Sequence, residues 1–230
     1  MTQLSIIIPT KNEEKNITNL LDCLYKQTFK DFDIIVSDAN STDCTIQNIF
    51  SHKLSHKIRI TRGGLPAIGR NNGANISKSK FLLFIDADIT IKDNNLLQKT
   101  INLIENKKLD LITSNISCRN NIIVNFIYLF NNIFQFLSKN DIPFATGMYF
   151  FIRKIKFDEL GGFNEKDQYA EDYNLSRKIN KNKFGIINSF VYSDDRRFKK
   201  MGYFNIMKLF YKTMKNKNNE DYYKEKINYF

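Results

Sequence analysis

The chain opens on a short apolar run, Leu4-Ser5-Ile6-Ile7-Ile8-Pro9, and then changes period. Residues 16–26 carry Ile17, Leu20, Leu21 and Leu24 at the spacing of one helix face. Phe32-Asp33-Ile34-Ile35-Val36-Ser37 predicts a second strand, and Ser41-Thr42-Asp43 starts a helix that runs to about Phe50. Lys57 to Thr61 predicts a third strand. Pro66 to Ser77 predicts a third helix with proline in its first turn. Phe81-Leu82-Leu83-Phe84-Ile85 then reads as a strand buried on both faces. This alternation predicts an α/β fold with a doubly wound, predominantly parallel sheet and helices on both faces. Ligands of such sheets bind beyond the carboxyl ends of the strands.

After Asp88 the regularity loosens. Helices are predicted over 94–105, 122–137 and 171–179, and strands over 109–114, 145–153 and 184–192. No repeat or Gly/Ser linker divides the chain. The expectation is a single domain over 1–195 in two functional halves, 1–90 and 91–195, each binding one substrate. A basic helical extension over 196–230 follows.

Charge changes this picture mainly at the carboxyl end. The formal net charge is +11, and beyond Asp195 stand ten basic residues against three acidic ones, so +7 of it lies in the last 35 positions. Such a segment seeks anions, among them nucleotide phosphate and an acidic membrane surface. No recognition-helix or RNA-binding aromatic pattern accompanies the charge, so no nucleic acid partner is expected. Three scattered cysteines, Cys23, Cys44 and Cys118, form neither a disulfide framework nor a zinc pattern. Together with an amino terminus that runs straight into a strand, they predict a cytoplasmic protein without a signal peptide.

The candidate chemistry lies where strands end. The first is followed by Pro9-Thr10-Lys11-Asn12-Glu13-Glu14, the second by Asp38-Ala39-Asn40-Ser41-Thr42-Asp43, and the fourth by Asp86-Ala87-Asp88. In a parallel sheet these clusters share one rim. Two acids one residue apart after a buried strand repel each other unless a cation sits beside them. A divalent cation carrying phosphate meets that need; a solvated turn is the alternative. Arg70, in Gly69-Arg70-Asn71-Asn72-Gly73, is placed to supply a counter-charge.

These fragments resemble the family 2 inverting glycosyltransferases of GT-A fold. The likeness continues through Thr146-Gly147, Gly161-Gly162-Phe163-Asn164-Glu165 and Glu171-Asp172, in the family's order, over about residues 4 to 190. The resemblance implies a nucleotide-sugar donor, most simply UDP-linked, and Mg²⁺ or Mn²⁺ as cofactor. It implies that Pro9, Thr10, Asn12 and Glu13 line the nucleotide pocket, that Asp38 reads the uracil edge, and that Arg70 lies near base and phosphates. Asp86 and Ala87 would face the ribose, Asp88 the metal, and Thr146-Gly147 the donor sugar. Glu171 would border the donor, and Asp172 would be the catalytic base. The nearest enzymatic rival, a sugar nucleotidyltransferase, needs a Gly-rich phosphate loop after the first strand, which Pro9-to-Glu13 is not.

Two segments stay open at this level. Some relatives place a histidine after the last strand as a further metal ligand, whereas this chain has Ser193-Asp194-Asp195-Arg196-Arg197 there. Either Asp194 or Asp195 joins the metal, or Arg196 and Arg197 grip the diphosphate. The 122–137 helix is too short and too interrupted by Asn for a membrane span. It packs into the core, or it lies on a membrane or covers a lipid-linked acceptor, helped by the basic tail. The acceptor expected is a glycan or lipid-linked hydroxyl, with peripheral membrane association as the corollary.

Overall fold

The computed structural model describes residues 2–216 and 219–224; the remaining positions of the basic extension, 217, 218 and 225–230, lie outside the described residues. In chain order the elements are β1 (Leu4–Thr10), α1 (Ile17–Tyr25), β2 (Phe32–Asp38), α2 (Thr45–Ser51), β3 (Ile58–Arg62) and α3 (Pro66–Ile76). There follow β4 (Phe81–Phe84), β5 (Thr90–Ile91), α4 (Leu96–Asn106), β6 (Leu111–Cys118), α5 (Ile122–Ser138) and β7 (Phe150–Arg153). The chain continues through α6 (Lys154–Glu159), α7 (Glu171–Ser176), β8 (Phe184–Ser193), α8 (Arg196–Met201) and α9 (Tyr203–Lys215).

One sheet, in the order β3-β2-β1-β4-β7-β6-β8-β5, carries the fold. β1, β2, β3 and β4 pair in parallel, and so do β6 and β8. β7 runs antiparallel between β4 and β6. Six strands therefore point the same way, with β7 reversed among them and the two-residue edge strand β5 reversed beside β8. Ile6, Ile8 and Leu83 face one core with α1 and α4, and Ile7, Ile35 and Leu82 face the other with α3 and α6. Side chains on both faces of β1 and β4 are fully buried, each worth about 1.5–3 kcal/mol. This explains why those strands read as continuous apolar runs rather than alternating ones.

The predicted 145–153 strand shortens to Phe150–Arg153, because residues 145–149 approach the sheet as a loop. The predicted 171–179 helix ends at Ser176. The 122–137 helix forms, but core packing is the wrong account of its apolar residues. It buries only Val124, Tyr128 and Gln135, while Ile122, Phe126, Leu129, Phe130, Ile133 and Phe136 face outward.

The reason lies in β6. β7 pairs with β6 only at Leu111, Ile112 and Thr113, so the next alternate residues on that edge, Ser114, Ile116 and Cys118, have no strand to bond. Asn132 takes both groups of Ile116, accepting from its N–H at 2.9 Å and donating to its carbonyl at 2.9 Å. Asn125 accepts from the Cys118 N–H at 2.6 Å, and Gln135 donates to the Ser114 carbonyl at 3.1 Å. The polar stripe of α5 thus completes a sheet edge, and the apolar face is left outside.

Candidate active site

Because six strands share a direction, the loops after β1, β2, β4, β6 and β8 meet at one rim. β7 is reversed, so the Thr146-Gly147 segment before it reaches the same rim. The predicted residues divide there into three groups.

The first group is a preformed loop pair. Asp38 accepts from the Ser41 N–H at 2.8 Å and the Ser41 hydroxyl at 2.6 Å, and from the Thr10 hydroxyl at 2.9 Å. Asn12 takes a positive φ of 54°, a conformation Asn tolerates, and its side chain accepts from the Thr42 N–H at 2.9 Å. The Glu13 carbonyl accepts from the Asn16 and Ile17 N–H groups at the start of α1, and its carboxylate accepts from the Asn16 amide at 2.7 Å. Pro9 and Thr10 end β1 beside Ser37 and Asp38.

The second group is held by one guanidinium. Arg70, on the inner face of α3, is only 4% exposed. It donates to Asp86 Oδ1 at 2.7 Å and, through its other terminal nitrogen, to Glu171 Oε1. A Cβ on Gly147 would overlap that guanidinium, so the glycine is required for the approach of the Thr146-Gly147 loop. The Gly147 N–H donates in turn to Asp172 Oδ2 at 2.5 Å, and the Tyr173 N–H to Asp172 Oδ1 at 2.7 Å. Next to Arg70, Asn71 donates to the Phe163 carbonyl at 2.9 Å and accepts from the Phe163 N–H at 3.0 Å. It fixes the Gly161-Gly162 turn, where Gly162 has a φ of +72°. Sequence reading did not single out Asn71, although it stands inside a motif that was read. Ala170, at a φ of 56°, aims the start of α7 into the rim.

Burial raises the pKa of Glu171 to about 7, against the opposing pull of Arg70. Burial also raises that of Asp172, again opposed by Arg70 and by the two N–H donors. The two acids are not equivalent. Glu171 is buried and committed to Arg70, whereas Asp172 is half-buried and takes two main-chain N–H donors.

The third group surrounds Asp88. Arg196, half-exposed on α8, lies 3.3 Å from Asp88 Oδ2 and spans both Glu13 oxygens at 2.9 and 3.3 Å. Asp194 sits 3.8 Å from the Arg196 Nε and 3.9 Å from Arg119. Asp195 turns away to Asn121 and Lys199. Arg119, for which the sequence held no signal, donates to the Asp88 carbonyl at 3.3 Å. Arg197 is half-buried, and desolvation lowers its pKa while Tyr128, Asp172 and Asp86 oppose that. The two histidines play no part; His52 pairs with Asp22 at 3.2 Å.

Burial, then the charges of Asp86, Asp194 and Glu13, raise Asp88 to about 7 despite Arg196. Three neighbouring carboxylates outweigh the one guanidinium on it, a surplus of negative oxygen that suits a hard divalent cation. Among the described residues no group of three or more His, Cys, Asp or Glu is placed to hold an ion alone. The residues fit Mg²⁺ or Mn²⁺ if water and phosphate oxygens fill most of the shell, as is usual for Mg²⁺.

The family model described as glycosyl transferase family 2 matches residues 5–161. The chain belongs to that family. Among curated relatives, TarS of Staphylococcus aureus, a poly(ribitol-phosphate) beta-N-acetylglucosaminyltransferase, is 39% identical over 94 residues. That stretch is 38% of this chain and 16% of TarS, so most of that relative's length has no counterpart in the match. Among solved structures, the mannosyltransferase PcManGT from Pyrobaculum calidifontis, in complex with GDP-Man and Mn²⁺, superposes with a TM-score of 0.71 at 19% identity, over 93% of this chain and 64% of that one. TarS 1-349 in complex with UDP gives 0.67 at 21% identity, over 84% and 60%. At these identities the likeness establishes the fold, which is GT-A. The family match ends before Asp172 and Arg196, whose placement rests on the geometry above.

Proposed function

We propose that this family 2 chain is a metal-dependent, inverting glycosyltransferase that moves a sugar from a UDP-linked donor to a hydroxyl of a glycan or lipid-linked acceptor. The observation that carries the reading is the Arg70 bridge. One buried guanidinium ties the Asp86 end of β4 to the Glu171-Asp172 pair, with the Gly147 N–H on Asp172. Donor-side and base-side carboxylates are thereby set in one frame. TarS was solved with UDP and PcManGT with GDP-Man and Mn²⁺, which supports a nucleotide-sugar donor here.

In this mechanism Pro9, Thr10, Asn12, Glu13 and Asp38 form the nucleotide wall, and Asp86 and Ala87 adjoin the ribose. Asp88 would hold Mg²⁺ or Mn²⁺, which when bound neutralises charge on the leaving diphosphate. Arg196 and Arg197 add positive charge at the same place, Arg196 by leaving Glu13 and Asp88 for a phosphate oxygen. Asp172 removes the acceptor hydroxyl proton as that oxygen forms its bond to the anomeric carbon and the nucleoside diphosphate departs. Such a base contributes about 10²–10⁴ in rate. A single displacement by this route inverts the anomeric configuration. Glu171, held by Arg70, orients rather than reacts.

The test is a screen of nucleotide sugars for nucleoside diphosphate release, with and without Mn²⁺. Asp172→Asn is expected to abolish transfer while donor binding, read by calorimetry, persists. Asp88→Ala is expected to weaken Mn²⁺-dependent donor binding itself. Equal loss of donor binding in both variants would overturn this division of roles.

A further inference from the structure

We infer that the outer faces of α5 and α9 form a surface that lies on an anionic lipid bilayer. The argument starts from the inversion of α5. Its polar residues are consumed inside, on the open edge of β6, so the face toward solvent is apolar throughout. At 100° per residue, Ile122, Phe126, Leu129, Ile133 and Phe136 fall within an exposed arc of about 160° that contains no polar side chain. Ile122 is 85% exposed and Phe126 62%. The exposed apolar area is on the order of 1,000 Å², well above the few hundred usual for the surface of a soluble monomer. An ordinary surface helix has the opposite arrangement.

α9 starts at the same corner, where Asn121, the N-cap of α5, donates to the Tyr203 hydroxyl at 3.0 Å. Among its described side chains the fully buried anchor is Ile206, while Phe204 and Tyr211 are 77% and 67% exposed and Met207 joins them. On the helical wheel Lys208, Lys212 and Lys215 border this apolar arc on one side. Aromatic and Met side chains flanked by lysine are the pattern of a helix lying in the headgroup plane. The lysine stems can run along the apolar layer while their ammonium groups reach lipid phosphates.

Charge selects the occupant. α5 carries no charged side chain, and α9 carries Lys208, Lys212 and Lys215 and no carboxylate. A second copy of this chain would bring the same three lysines against the patch. An anionic bilayer supplies both the apolar phase and the counter-charge. Among the described residues no helix is long and apolar enough to cross a membrane, so the surface rests on the bilayer rather than spanning it. This inference stands apart from the reading of the active site, because it concerns other residues and is tested without any sugar donor.

The test is flotation of the whole chain with vesicles of phosphatidylcholine alone or with added phosphatidylglycerol. The protein is expected to float with the anionic vesicles at low salt and to be released in part by high salt. Phe126→Glu with Phe130→Glu is expected to abolish flotation at any salt without lowering Tm, since both residues are exposed. Lys208→Gln, Lys212→Gln and Lys215→Gln together should weaken binding to anionic vesicles by about a hundredfold and leave the residual apolar affinity unchanged. No flotation of the unaltered chain at low salt would overturn the inference. So would flotation unaffected by the glutamates, or sedimentation showing that they only convert an oligomer to a monomer.

Discussion

Arg70 is where the geometry makes its sharpest demand. Replacing it by Met keeps an unbranched chain in the α3 position but leaves Asp86 and Glu171 facing each other without a cation. Removing one partner of a buried pair costs about 3–5 kcal/mol, since the remaining charge stays desolvated. The size of that cost should depend on pH. Burial already places the folded pKa of Glu171 near 7, above its unfolded value, with Arg70 pulling downward. A carboxylate with a raised folded pKa destabilises the fold progressively as pH climbs from the unfolded to the folded value. In the unaltered protein that window closes near 7. Without Arg70 the folded pKa rises further and the window extends upward, by about 1.4 kcal/mol for each unit of rise. Urea unfolding of both proteins at about pH 6 and about pH 8.5 should therefore show a larger loss at the higher pH. Adding Glu171→Gln to Arg70→Met should recover much of the loss, because the neutral amide needs no cation. A loss below about 1 kcal/mol, or one equal at the two pH values, would show that Arg70 is not the counter-charge that holds this frame.

Three further outcomes test other parts of the structure. Because burial raises the Asp172 pKa, the transfer rate should fall as pH is lowered through a value above the ordinary aspartate range, and Asp172→Asn should remove that limb from the pH–rate profile. Asn132→Leu strips both backbone groups of Ile116 of their partner and should cost about 2–4 kcal/mol in urea unfolding, whereas Ile133→Ser beside it should cost under about 0.5 kcal/mol. Arg196→Gln removes a guanidinium that is half-exposed and should change stability by less than about 1 kcal/mol, yet raise the donor KM on the order of tenfold if the guanidinium moves onto the diphosphate.

The parts of the site that lie on β1, β2 and β4 were legible in the sequence. Each follows a buried apolar run, and a parallel sheet has only one place for such loops to go. Thr146-Gly147 was legible as a fragment but not as a rim segment, because that depends on β7 running backward between β4 and β6. Asp195 and Arg196 are neighbours in sequence, yet Asp195 turns to Asn121 and Lys199 while Arg196 reaches Asp88 and Glu13. Only the start of α8 separates those directions.

By itself the sequence determined the period of its elements and therefore the α/β class and the shared rim of Pro9-to-Glu13, Asp38 and Asp86-to-Asp88. Those are consequences of local pattern, since alternate burial and helical spacing are written residue by residue. The tertiary structure alone decided which charges meet. Arg70 and Glu171 are 101 residues apart, and no periodicity predicts that one guanidinium will join Glu171 to Asp86. It also decided which side of α5 is the inside. The helix was visible as an amphipathic pattern, but its polar stripe turns inward because β6 outlasts β7 and leaves backbone groups that only side-chain amides can satisfy. Helical periodicity records that two faces differ; which face is buried depends on what the neighbouring strand leaves unpaired.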